Sequence, residues 1–290
     1  MPFRLGWIIA LLPALLAIAG CTKPLIKGRS PLAPARMSPD SCVLDVFFVR
    51  VPFGDPRANE ELWQELDEQL FAADLRERLM HNGFRVGAVD GQIPVVLSNL
   101  MELGDKPAPT DEVKGTNITD LGGKPRVMRQ HMQIHAGRPS EILASGIYEQ
   151  LPVLLAESHS LSGDTYNQAQ AVFNLKAFPL SDGRVRVDLT PEVHHDQPRQ
   201  RRVEDQGILR FDFSRPKRVF DDMAISAKLS PGGMLVLTSL PNLSGSLGHC
   251  FFTETENEGR LEQKLLIIRL SQTQYDGLFV APEESPPERK

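Results

Sequence analysis

Several chemistries are missing from this sequence, and each absence narrows its use. There is no excess of basic charge: 32 Lys and Arg stand against 37 Asp and Glu, giving a net charge of −5 and a pI near 5.8. A general nucleic-acid binder would normally carry a basic face, and the only dense basic stretch, Arg199-Gln200-Arg201-Arg202, lies beside Glu204 and Asp205 and reads as a solvated loop. No G-x-G-x-x-G stands between a strand and a helix, and no Walker loop occurs, so the glycines at 232–233 and 245–248 are turn residues rather than phosphate cradles. Ser158-His159-Ser160 and Asp164 include the residue types of a hydrolytic triad, but no nucleophile elbow surrounds them and triad partners are set by space rather than adjacency. His194-His195-Asp196 is a weak metal signal, because neighbouring residues on a strand point to opposite faces and no cysteine or carboxylate cluster completes a site. No repeat of fixed period is present. These absences predict a protein that is not an enzyme and needs no metal or cofactor.

The N-terminus is more specific. Arg4 is followed by an apolar run from Leu5 to Ile18, broken only by Gly6 and Pro13, and then by Ala19, Gly20 and Cys21. This charged, apolar, small-residue order is that of a secretory signal. The run falls short of the roughly 20 residues a membrane span needs. The ending Ile18-Ala19-Gly20-Cys21 matches a bacterial lipobox, in which the cysteine thiol becomes the thioether that carries lipid, so Cys21 is the expected lipidation site. Thr22, rather than aspartate, follows it, which by the usual sorting rule predicts the outer membrane, with the protein facing the periplasm. One acyl chain binds a membrane only marginally, whereas several hold firmly. Residues 21–40, with four prolines and Lys23, Lys27, Arg29 and Arg36, read as a solvated tether.

Export bears on the other two cysteines. Cys42 and Cys250 would meet an oxidising compartment; they either close a disulfide across nearly the whole folded part or remain two buried thiols acting as small hydrophobes.

The expected fold class is α+β: a small β-α-β module at 41–103, a linker at 104–125, a mainly antiparallel β domain at 126–273 and a disordered tail at 274–290. In the module, Val43 to Val51 form an apolar strand closed by Pro52. Asn59 caps a helix that carries Leu62, Trp63, Leu66, Leu70, Leu75 and Leu79 and stops at Gly83, and Phe84 to Val89 form a second strand. In the second block, Ser181-Asp182-Gly183 joins Val172–Phe178 to Arg184–Leu189, whose alternation puts Val185, Val187 and Leu189 inward; an Asp-Gly turn between such runs is a strong hairpin signal. Pro231-Gly232-Gly233 predicts a hairpin between Met223–Leu229 and Met234–Leu240. Asn257-Glu258-Gly259 predicts another between a strand near Phe251 and Leu261–Leu270.

Three of these segments, in this order, resemble the C-terminal β-domain of secretins, the ring-forming outer-membrane channels of type II and type III secretion and type IV pilus systems. They are Gly183–Val193 with its Pro191-Glu192-Val193 ending, the strand-glycine-strand unit Leu229–Leu240, and Glu262–Leu270, a glutamate followed by an apolar run. Ser239, Ser271 and Gln272 depart from the usual pattern, and no series of N-terminal ring modules precedes the match. The resemblance implies a lipid-anchored, non-enzymatic envelope protein that forms homo-oligomers or joins secretion-system proteins. The rival expectations are a monomeric binding or scaffold lipoprotein and, less favoured, a hydrolase using His159 or His194.

Overall fold

The computed structural model describes residues 37–102, 126–157, 160–205, 208–255 and 259–278, and of residues 102 and 201–212 only the backbone. Cys21 and its tether as far as Arg36, Ser158 and His159, and the linker 104–125 lie outside the described residues.

The central element is the pairing of β1 (Ser41–Pro52) with β13 (Leu261–Gln274), antiparallel over their whole length with one irregularity at Val43/Leu44. Both are almost continuously apolar, and the reason is that their sheet is covered on both faces. Even-numbered Leu44, Val46, Phe48, Leu266 and Ile268 enter one core. Odd-numbered Phe47, Val49, Val51, Leu265 and Ile267 enter another. Each such side chain contributes about 1.5–3 kcal/mol by leaving water. The first sheet runs β2 (Phe84–Val89), β11 (Met234–Ser239), β13, β1 and β3 (Val127–His135), with β12 (Thr253–Thr255) also on β13. The second runs β10 (Ile225–Leu229), β6 (Val185–His194), β5 (Leu161–Pro179) and β4 (Ser140–Ala156), with β9 (Lys217–Val219) on β6. The sheets stack through the first core. A ribbon of β7 (Arg199–Asp205) and β8 (Ile208–Ser214) joins neither sheet among the described residues. The α-helices among the described residues are short: α1 (Ala73–His81), α2 (Val95–Glu102) and α3 (Leu247–Phe252).

The antiparallel, β-rich character agrees with the sequence reading, as do both strands of the first block, the stop after α1 at Gly83 (φ +78°) and the hairpin over Ser181–Gly183. Other expectations are corrected. The β-α-β module does not form: β1 and β2 lie in one sheet separated by β13 and β11, and the chain of antiparallel pairings makes them antiparallel to each other. Because strands from 41–103 and from 126–273 share that sheet, the linker does not separate two domains.

The single helix over 59–81 is also replaced. A π-type turn at Arg57–Glu61 and a 3-10 turn at Leu62–Gln64 precede α1. Leu62, Trp63 and Leu66 pack in the second core and Leu79 in the first, so the segment must pass around the edge of the sheet. It does so where Asp67 and Ala88 exchange both backbone hydrogen bonds, at 2.9 and 3.0 Å. Leu70, at that crossing, is 51% exposed. Asn59 does not cap a helix; its side chain donates to the Asp55 carbonyl at 2.9 Å and exchanges hydrogen bonds with buried Gln263 at 3.0 and 2.9 Å.

Pro231-Gly232-Gly233 does not close a hairpin. β10 pairs with β6 in one sheet and β11 with β13 and β2 in the other, so this turn is the corner by which the chain changes sheets. Phe251 lies in α3 rather than in a strand, and the turn around Gly259 joins β12 to β13. The expected disordered tail at 274–290 is ordered at its start: the Asp40 carboxylate accepts from the backbone N–H groups of Asp276, Gly277 and Leu278 at 2.8, 3.0 and 2.7 Å, and residues 279–290 lie outside the described residues.

Candidate functional site: a buried carboxylate under the β7–β8 ribbon

β6 alternates cleanly, with Val185, Val187, Leu189 and Val193 in the core. The residues between them therefore face outward, and one of these is Glu192, which is nonetheless only 2% exposed. Its carboxylate accepts from Asn174 Nδ2 of β5 at 3.0 Å and from Lys217 Nζ of β9 at 3.1 Å to each oxygen. His194 Nε2 lies 2.9 Å from Oε2. Burial alone would raise the pKa of this carboxyl, but the hydrogen bonds from His194, Asn174 and Lys217 and the charge of Lys217 outweigh it and hold the group below its ordinary value. It is a fixed anion rather than a proton donor.

This cluster sits where the ribbon leaves the sandwich. His195 N donates to the Pro216 carbonyl at 2.9 Å, Asp196 N to the Asn167 carbonyl at 2.8 Å, and Arg215 Nε to the Asp196 carbonyl at 3.0 Å. Asp196 takes a left-handed conformation at φ +56°, which aspartate tolerates better than most residues, and this reverses the chain into β7. Both ends of the ribbon are thereby tied to β5 and β6. Beside the base is a groove of about 1010 Å³ whose lining includes Leu143, His194, Arg199, Phe213, Arg215 and Lys217. Leu143 and Phe213 are 55% and 71% exposed. The site offers apolar area with cations at its rim, on a rigid seat.

His194 and His195 take separate partners, Glu192 for the first and Asp196 Oδ2 at 3.1 Å with the Tyr166 ring at 5.2 Å for the second. Among the described residues no group of three or more His, Cys, Asp or Glu is placed to hold a metal ion. Asp164 is exposed on β5. Arg199–Arg202 belong to β7 and not to a loop.

Cys42 and Cys250 are both buried and unbonded. Burial pushes the thiols up to about 12 and about 11 respectively. Cys250 and His249 line a second groove, of about 550 Å³, together with Tyr148. That trio could suggest nucleophilic chemistry, but the Cys250 thiol stays protonated and lies 3.9 Å from the Pro152 carbonyl. The Tyr148 hydroxyl, pushed up to about 12 by burial, donates to the Cys250 carbonyl at 3.0 Å.

The sequence pattern had placed Glu192 in a notable segment without giving it a task. The available signal was its place in the Pro191-Glu192-Val193 ending of an alternating strand that also carries Arg186 and Asp188; Lys217 and Asn174 are distant in sequence and gave none.

No family model matches this chain, and no curated protein matches it. Solved structures show a weak likeness, two of them as follows. One is the InvG secretin domain β-barrel from the Salmonella SPI-1 injectisome NC-base, with 12% identity and a TM-score of 0.25 over 87% of this chain and 66% of that one. The other is the Salmonella SPI-1 type III secretion injectisome secretin InvG in the open gate state, with 10% identity and a TM-score of 0.22 over 95% of this chain and 66% of that one. The chain thus spans about two thirds of the length of each.

Proposed function

We propose that this protein is a lipid-anchored, non-enzymatic envelope component that works by assembling, with copies of itself or with secretion-system proteins, at the bacterial outer membrane and facing the periplasm. The observation that carries the reading is the β7–β8 ribbon. It pairs over seven residues on each strand and is held at its base by a buried ion-pair cluster, yet it joins no sheet among the described residues. A two-stranded ribbon alone is marginal in water, and open strand edges are templates for pairing with another chain. Firm anchoring of an element with free edges and an exposed Phe213 suits a contact between molecules better than a reaction. The lipobox at Cys21 supplies the tether, and the secretin-like segments at 183–193, 229–240 and 262–270 are consistent with a place in secretion or pilus assembly.

The anchor is tested by fractionating cells that express Cys21→Ser beside the natural chain. The natural protein is expected with the outer membrane and the variant with the soluble exported fraction. Equal membrane retention of both would sink the anchor.

A further inference from the structure

Among the described residues the two sheets end on β2, β3, β4 and β10, three of them protected, and β9 and β12, each paired on one side only, are just three residues long. β2 is capped by Asp67 through its bonds to Ala88. β4 is broken by an irregularity between Leu143 and Ile147 and covered further along, where Leu154 N donates to the Gly245 carbonyl at 2.9 Å. β10 is five residues long and carries Lys228. These are the usual means of keeping edges from pairing. The β7–β8 ribbon lies outside both sheets among the described residues and is the element the proposed assembly already uses.

β3 has the least of these protections: its one arginine, Arg129, is held onto Asp45 of β1 at 3.1 Å. β3 runs nine residues, Val-Met-Arg-Gln-His-Met-Gln-Ile-His, without proline, glycine or lysine, and its pairing with β1 keeps one register throughout. The bonds that bracket that pairing, Arg50 N to the Arg126 carbonyl and Ala136 N to the Asp40 carbonyl, show that the even-numbered residues of β3 turn their backbone groups toward β1. The backbone N–H and C=O groups of Val127, Arg129, His131, Gln133 and His135 therefore point to the open edge. Among the described residues only one of them is engaged outside the strand, the His135 carbonyl, which accepts from Arg138 N at 3.1 Å.

We propose that this edge pairs with β3 of a second copy of the chain, antiparallel and centred on His131. This register sets no arginines against each other. Arg129, held by its own Asp45 at 3.1 Å, falls opposite neutral Gln133 of the second copy, whereas sliding the centre to 129 would set Arg129 against Arg129. The central histidines meet each other, each already paired with its own Asp45 at 2.9 Å. On the other face Met128, 49% exposed, falls opposite Ile134 of the second copy. All nine residues overlap, and the outward groups form about eight hydrogen bonds, allowing for the two occupied His135 carbonyls. The first sheet then continues across the two copies. This rests on the reading of the protein as one that assembles and names one contact by which it does so.

The test is a pair of charge changes at Gln133, which is exposed. By symmetry each change acts twice. Gln133→Glu sets a carboxylate against Arg129 of the second copy in two places, and Gln133→Arg sets like charges there. In sedimentation equilibrium of the full, detergent-extracted chain, the dimer dissociation constant should fall about tenfold for the first and rise about tenfold for the second at low salt. Self-association that ignores both changes overturns the β3 contact and leaves the assembly reading standing. A chain that stays monomeric at all concentrations overturns the β3 contact; it overturns the assembly reading as well only if the extracted particle carries no other protein.

Discussion

Replacing Glu192 with glutamine removes the one charge at the centre of the ribbon's base while keeping its shape. The carboxylate takes part in contacts to three side chains, Asn174, His194 and Lys217, at 2.9–3.1 Å. Hydrogen bonds to a charged group are each worth about 1.5–3 kcal/mol net, and the amide can keep some of them. Lys217 is 45% exposed and can turn to water, which screens its share; the net loss should be about 2 kcal/mol. For a domain of this size the urea dependence is roughly 2 kcal/mol per molar, so the unfolding midpoint near neutral pH should fall by about 1 M. The pH dependence follows from the sign of the shift. Glu192 has a folded-state pKa below its unfolded one, so its stabilisation is present above the unfolded value of about 4.3. It is lost as pH falls through the folded value. The natural chain and Glu192→Gln should therefore separate above about pH 4.3 and converge in strong acid. Amide hydrogen exchange across 199–214 should quicken more than elsewhere. Midpoints within about 0.2 M of each other near neutral pH would refute the claim that this carboxylate pins the ribbon.

Two further outcomes follow from the packing. A Cβ at Gly248 would lie 2.1 Å from the Gly83 carbonyl oxygen, a backbone atom that cannot swing aside, so Gly248→Ala should cost about 3 kcal/mol and lower Tm by several degrees. Gly54→Ala meets nothing within 4 Å and pays only for its φ of +76°, about 1 kcal/mol; thermal melts that rank the two the other way would contradict the structure. The thiols of Cys42 and Cys250, raised by burial to about 12 and about 11, should resist an aromatic disulfide reagent near pH 8 and both react after unfolding in urea, in a Cys21→Ser background. Fast labelling of either in the folded protein would show that its burial is wrong.

What the sequence disclosed was local. The Phe84–Val89 strand, the stop at Gly83 and the Ser181–Gly183 hairpin follow from runs and turn residues close together in the chain. The failures share one cause, which is that the first sheet has two covered faces. A doubly buried strand reads as an uninterrupted apolar run and hides its neighbours, so nothing near β1 announced that β13, more than two hundred residues away, is its partner. The leucines at 62–79 recur at helical spacing, yet they serve opposite faces of one sheet, and only the tertiary arrangement forces the break around Asp67. Pro231-Gly232-Gly233 has hairpin chemistry, but which sheets its flanking strands join is decided by β6 and β13. The same holds at the site: Glu192 stood out, and its cation did not, because Lys217 reaches it only when β9 lies along β6.

Assembly at the membrane is tested most directly by the mass of the natural, lipidated chain extracted in mild detergent, corrected for bound detergent. A particle of several protein copies, or one carrying other secretion-system proteins, is the predicted result. A particle holding one copy and nothing else, at every concentration and in every mild detergent tried, would contradict it.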